Sequence, residues 1–257
     1  MVRNESDIIE TTVRHLLEQD VARVLIVDNG STDATLEVLG SVDDPRLVVG
    51  HYREPGYYQA AKMTELARWA GRHGATWVVP FDADELWSSP TGTLGEHLRT
   101  CPAPVARADI HNAFPTPDPD VWRVELSPDP MRKVVFRPHP LAILDTGNHW
   151  VSRPGAVCTG LSLLHLPWRS RGQLGSKLRQ GAAAIAAVDR PVDWGGHWQQ
   201  HGNDSDDELA QIWESVTGGR PVPSLSWSPS GGPTAPLSKD CLSSWTALLP
   251  PERDNGA

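Results

Sequence analysis

Through its first hundred residues the chain alternates helical and strand-like hydrophobic patterns, and that alternation restricts it to α/β architectures. Ile9, Val13, Leu16 and Leu17 form the stripe of an amphipathic helix over residues 7–19, with Asn4 or Ser6 as its cap. A β-branched run over 21–27 stops at Asp28-Asn29-Gly30-Ser31, the pattern of a buried strand entering a polar loop. Asp33 then reads as the N-cap of a short helix through Leu39. A brief strand over 47–49, a helix over 58–72 and a strand over 77–81 follow. The order predicts a largely parallel sheet with helices on both faces.

The last of these strands ends in Phe81-Asp82-Ala83-Asp84-Glu85. Alternate side chains of an extended backbone share a face, so Asp82 and Asp84 can point into one volume. Paired carboxylates past a strand end suit a hard divalent cation that bridges protein to substrate phosphates. The plain alternative is a turn that leaves the acids in solvent.

Beyond Thr100 frequent prolines separate short strand candidates at 105–110, 121–124 and 133–137, and a further apolar run at 161–166 includes His165. Residues 170–188 read as a helix and 206–216 as another, before a Pro-, Ser- and Gly-rich tail expected to be loosely ordered at 226–238. Of the 257 residues 39% are hydrophobic, and no run approaches the roughly 18 apolar residues of a membrane span. A net charge of −9 argues against a nucleic-acid partner. Cys101, Cys158 and Cys241 are dispersed, without metal-site spacing, and fit a reducing compartment. The cytoplasm is the expected location, since Met1-Val2-Arg3-Asn4-Glu5 is not a signal peptide.

Taken in order, Val2-Arg3-Asn4-Glu5, Val27-Asp28-Asn29-Gly30-Ser31-Thr32-Asp33 and Asp82-Ala83-Asp84-Glu85 resemble the nucleotide-sugar half of a family 2-like glycosyltransferase with the GT-A fold. His165-Leu166-Pro167-Trp168-Arg169-Ser170, with Lys177 and Gly181, resembles that branch's C-terminal signature. The resemblance implies a Rossmann-like mixed sheet flanked by helices. Residues 1–100 would be the nucleotide-sugar half, 101–190 the acceptor-side half and 191–257 a C-terminal extension. It also implies transfer of a sugar from a nucleotide donor, UDP-sugar favoured, to an acceptor hydroxyl with inversion. The acceptor would be a glycan, a lipid-linked sugar or a small molecule. Carried over by position, Asp28 would accept from a base imide, Arg3, Asn4 and Glu5 would line base or ribose, and Lys62 would lie near base or diphosphate. Asp82 and Asp84 would contact ribose and a Mn²⁺ or Mg²⁺ ion, with His165 as a distant metal ligand. Asp145 is the nominal general base, and Glu85 and His149 are further catalytic candidates. Trp87, Trp150 and Trp168 are acceptor-side aromatics, picked from 11 tryptophans.

Bland readings compete with several of these. Asp28 can close an Asx-turn, His149 can be structural, and Arg132, Lys133 and Arg137 can be a solvated strand edge. The family's first strand supplies five or more apolar residues before the Arg-Asn-Glu turn, whereas here Met1 and Val2 precede it, so apolar residues upstream are expected to raise stability. A metal-dependent phosphohydrolase of the haloacid-dehalogenase type is a weaker alternative, because Glu85-Leu86-Trp87 stands where those enzymes carry Gly-Thr. A catalytically degenerate nucleotide-sugar-binding module is the non-enzyme alternative.

Overall fold

The computed structural model describes residues 1–54, 56–189 and 195–249. Helix α1 (Ile9–Glu18) buries Ile9, Val13, Leu16 and Leu17, the predicted stripe. Its N-cap is Ile8 and makes no side-chain cap bond; Asn4 instead accepts from the Thr32 N–H at 2.7 Å, tying the first turn to the polar loop. Strands β1 (Val24–Asp28) and β2 (Leu47–His51) pair in parallel, with Val2 bridged to Asp28 on the other side of β1. Between them lies α2 (Thr35–Ser41), whose N-cap is Ala34; Asp33 sits one residue earlier and accepts from the Thr35 N–H at 3.0 Å. Helix α3 (Gln59–Arg72) follows.

The expected strand at 77–81 is reduced to a single antiparallel bridge, Val78 to Phe136. Pro80 has no N–H to give a ladder, so pairing cannot run through it. The regular strand is β3 (Glu85–Ser88), and Asp82 and Asp84 therefore sit in the turn before a strand rather than after one. The second sheet is mixed, not largely parallel. After α4 (Leu94–Thr100) come β4 (Val105–Pro115), β5 (Val121–Glu125), β6 (Arg132–Phe136) and β7 (Val157–His165). Its order is β3-β7-β4-β5-β8, where β8 is Thr234–Ser238 and β6 pairs with β4. Only β4–β7 is a parallel pair there.

Register places the chemistry. His165 at the end of β7 stands opposite Glu85 on β3 and Asn112 on β4. Helix α5 (Arg171–Ala186) leaves this end of the sheet, capped by the Ser170 hydroxyl, which accepts from the Gln173 N–H at 3.1 Å. A buried cluster of Phe114, Trp168, Leu174, Leu178, Leu209 and Val216 seats α5 on the sheet together with α7 (Asp206–Thr217), which follows the short α6 (Gly196–His201).

The expectation of a loose tail at 226–238 is overturned. Residues 234–238 form β8 against β5, and the 3-10 helix Lys239–Leu248 buries Trp245 completely. A polar composition near Pro and Gly concealed a segment held by a distant strand and one large aromatic. The predicted helix at 170–188 is α5, which ends at Ala186.

Candidate active site

A cavity of about 920 Å³ opens where the polar loop, the acidic turn, the end of β7 and α5 converge. Its wall includes Arg3, Asn4, Glu5, Asp82, Asp84, Lys133, His149, His165 and Lys177. Most of the residues singled out in the sequence thus share one volume, although 162 positions separate Arg3 from His165.

Asp84 is buried at its centre. Its Oδ2 accepts from Lys177 Nζ at 2.6 Å, with Arg169 Nη1 at 3.6 Å and His165 Nε2 at 3.8 Å. Burial opposes its charge, but the Lys177 ammonium and the Arg169 guanidinium outweigh burial and hold its pKa below the ordinary carboxylate range. His165 behaves oppositely: burial pushes its pKa down to about 3, so the ring is neutral. Asn112 gives its amide N–H to Asp129 at 3.3 Å and accepts from His165 Nδ1 at 2.9 Å. That bond leaves the proton on Nδ1 and the Nε2 lone pair turned toward Asp84. A neutral imidazole anchored through one nitrogen, with the other facing a carboxylate, is the arrangement of a metal-ligating histidine.

Asp82 makes a separate network. Lys133 Nζ lies 2.5 Å from Asp82 Oδ2 and 2.7 Å from Glu85 Oε1, and donates to the Gly147 carbonyl at 2.7 Å. Asp82 Oδ1 also accepts from Gln59 Nε2 and Asn148 Nδ2. Lys133 is 4% exposed, which overturns the solvated-edge reading for this residue. One ammonium cannot fully compensate two carboxylates. Asp82 keeps a lowered pKa because Lys133 overcomes burial, whereas burial raises Glu85 to about 7. Glu85 is wholly buried and also accepts from the Trp87 indole N–H and the Asp82 N–H. It cannot touch an acceptor, which corrects its placing among the catalytic candidates.

The remaining predicted residues sort as follows. Asp28 accepts from the Gly30 N–H at 3.0 Å and the Ser31 N–H at 3.3 Å, the Asx-turn that competed with base recognition. Lys62 donates to Asn29 Oδ1 at 3.2 Å and lies over the Tyr52 ring. Glu5 pairs with Arg169, and burial raises its pKa to about 7. Asp145 accepts from the Trp150 N–H at 2.8 Å; the cavity wall at this point is made by Thr146, Gly147 and His149, and Asp145 is not part of it. His149 donates through Nδ1 to the Arg132 carbonyl, and burial lowers its pKa, leaving Nε2 unprotonated beside the cavity. Trp87 is fully buried, and Trp150 is 54% exposed and outside the wall, so neither can serve as an acceptor platform; Trp168 lines the wall but is 1% exposed.

Sequence reasoning missed Asp129, Trp198 and Trp227, which all line the cavity. Trp198 packs on Tyr57 at 5.1 Å between ring centroids, and only a glycine at 181 allows it, because a Cβ there would lie 2.4 Å from the indole. Trp227 has a φ of +56°, a conformation that a bulky side chain rarely adopts. Its carbonyl accepts from the Trp168 indole N–H at 2.7 Å, and its ring stands edge-on to His165 at 4.7 Å. Both tryptophans come from the region read as a C-terminal extension. Nothing in their local sequence separates them from packing residues.

The mixed α/β fold, with two sheets flanked by helices and acidic residues at an open cavity, is of the GT-A, Rossmann-like class. Residues 1–99 of the 257 match the model for glycosyl transferase family 2, and this part of the chain is similar to that family. No curated protein matches it. Among the described residues no helix is long and apolar enough to cross a membrane.

Proposed function

We propose that this chain transfers a sugar from a nucleotide donor to an acceptor hydroxyl, with inversion, and that Asp84 and His165 hold a divalent cation for the donor diphosphate. The observation that carries the reading is the neutral His165 lone pair facing the Asp84 carboxylate at 3.8 Å on the cavity wall, too far for a hydrogen bond. Among the described residues no three His, Cys, Asp or Glu side chains group to hold a metal by themselves. A carboxylate and an imidazole completed by diphosphate oxygens and water suit Mn²⁺ better than Mg²⁺, whose protein ligands are one or two carboxylates. When bound, the cation supplies Lewis-acid stabilisation of the leaving diphosphate, Mn²⁺ and Mg²⁺ both being suited to oxygen donors.

The chain's own groups do the rest. Lys177 and Arg169 add positive charge where negative charge develops on the leaving group. The Asn4–Thr32 tie and the Asp28 turn shape the nucleoside end, where Arg3, Asn4 and Glu5 line the wall. Lys133 holds Asp82 and, through Gly147, the loop carrying His149. Asp129 replaces Asp145 as general base: it lines the cavity and retains accepting capacity beyond its bonds to Met131 N–H and Asn112. Asp129→Asn is expected to lower turnover about 10²–10⁴-fold while leaving nucleotide affinity unchanged. Steady-state rates beside a nucleotide titration check this, and unchanged turnover would remove Asp129 from the role.

Trp227 is the acceptor platform. A strained aromatic beside the metal-ligand histidine is retained when the surrounding structure over-determines it, and such strain clusters at functional sites. Trp227→Ala should raise the acceptor KM by roughly 5–30-fold, equivalent to about 1–2 kcal/mol, with donor affinity unaltered. An equal loss of donor affinity would instead make Trp227 a scaffold for His165.

The test of the function is nucleoside diphosphate release from a panel of UDP- and GDP-sugars, with Mn²⁺ and with chelator. Turnover of one donor only, lost with chelator, is the expected result. Binding without turnover of any donor would favour the degenerate binding module.

A further inference from the structure

Along α5 the cavity wall changes character. It passes from Lys177, which is bound to Asp84, to Gln180, Gly181 and Ala184. At 1.5 Å per residue, Ala184 lies about 10 Å further along the helix than Lys177. Two tryptophans join the wall here. Trp198 of α6 is seated on Gly181 and on the Tyr57 ring, whose backbone N–H is given to the Ala184 carbonyl. Trp227 carries the wall back to His165. The residues that precede the two tryptophans are tied together, with His197 Nδ1 and Ser226 Oγ 2.9 Å apart. Both indoles are half-buried, so packing fixes them while part of each surface faces the cavity.

The cations of the cavity are committed elsewhere. Lys177 pairs with Asp84, Lys133 pairs with Asp82 and Glu85, and Arg3 lies beside Lys62 at the nucleoside end. Burial lowers the pKa of His197 to about 4 and also lowers that of His149, so both imidazoles are neutral. Among the described wall residues between 195 and 227, none is charged. The acid linked to this surface is Asp129, which reaches Trp227 through Asn112 and His165.

We infer that this surface is the acceptor subsite and that the acceptor is an uncharged saccharide, with rings against Trp227 and Trp198. The negative π-face of an indole suits the polarised C–H face of a pyranose, and Ser226, Gln180 and His197 offer groups for its hydroxyls. An anionic acceptor would give up its water without meeting a free cation. A purely aromatic acceptor would leave the hydroxyl, amide and imidazole groups without partners. Calling the subsite the acceptor's rests on the transferase reading; its affinity for an uncharged sugar does not.

The experiment is saturation-transfer NMR on the full chain with methyl glucoside and methyl galactoside, each beside the corresponding uronide. At least one neutral glycoside is expected to bind through its ring C–H protons, and its uronide at least about fivefold more weakly. Trp198→Ala should weaken that binding at least about fivefold, and Trp198→Phe, which keeps an aromatic face, should retain most of it. An unchanged melting temperature checks that both variants fold. No binding of either neutral glycoside at about 50 mM, a uronide bound as tightly as its neutral partner, or unaltered binding by Trp198→Ala would overturn the inference. Titration of UDP and GDP into the same samples separates the two readings. Nucleotide binding without glycoside binding overturns this inference alone, whereas glycoside binding without nucleotide binding upholds the saccharide subsite and removes the donor.

Discussion

Replacing Lys133 with methionine is expected to destabilise the fold by about 3–5 kcal/mol, the effect of leaving buried charge without its partner. That is a large part of the roughly 5–15 kcal/mol that holds an ordinary domain. The ammonium lies 2.5 Å from Asp82 and 2.7 Å from Glu85 and is almost wholly buried, so water cannot replace it without opening the core. The loss depends on pH in a defined direction. Glu85 is raised to about 7 in the folded protein, above its ordinary value, so folding favours its protonated form. Its contribution is present in full at pH below the ordinary carboxyl range and is lost as pH rises through about 7. Without Lys133 this slope steepens, and the variant should melt higher at pH 5.5 than at pH 8. Adding Glu85→Gln removes one of the two acids and should restore part of the stability. Thermal melts of the single and double variants at both pH values decide this; a single variant within about 1 kcal/mol of wild type would show that the triad is not a buried ion cluster.

Asp84→Asn is the second large effect, and it falls on activity. The substitution keeps shape but removes the charge that Lys177, Arg169 and a bound cation would share. Turnover is expected to drop at least about 10²–10³-fold, the scale seen when one preorganised electrostatic contact at a developing charge is removed. Stability should change far less than with Lys133, because Arg169 retains Glu5 and Asp7 and Lys177 is partly exposed to water. Turnover within about tenfold of wild type would mean that Lys177 and Arg169 serve the diphosphate without Asp84.

Much of residues 1–99, and the start of α5, could be read in the chain because the signals are local. The α1 stripe, the Asp28 loop and the serine cap of α5 each depend on neighbours a few residues away. The acidic pair was legible as a pattern, but its setting was not: Pro80 prevents a ladder, and the regular strand begins at Glu85. What lay hidden depends on long-range register. His165, Glu85 and Asn112 become neighbours only because β7 lies between β3 and β4, and the Asn112 link from His165 to Asp129 follows from that pairing. Lys133 is equally ambiguous in sequence, since its partners lie about fifty positions upstream. Trp227 sat in a stretch whose composition suggested disorder. Its order comes from β5, 3-10 helix burial of Trp245 and the bond to Trp168, none of which leaves a local trace.

Isothermal titration of UDP and of GDP into the full chain, with Mn²⁺ and with chelator, tests the central claim most directly. The account predicts that one of the two binds at least about tenfold more tightly with Mn²⁺, and that Asp84→Asn and His165→Ala each abolish the gain. Equal affinity with and without the metal, or no binding of either nucleotide, would contradict it.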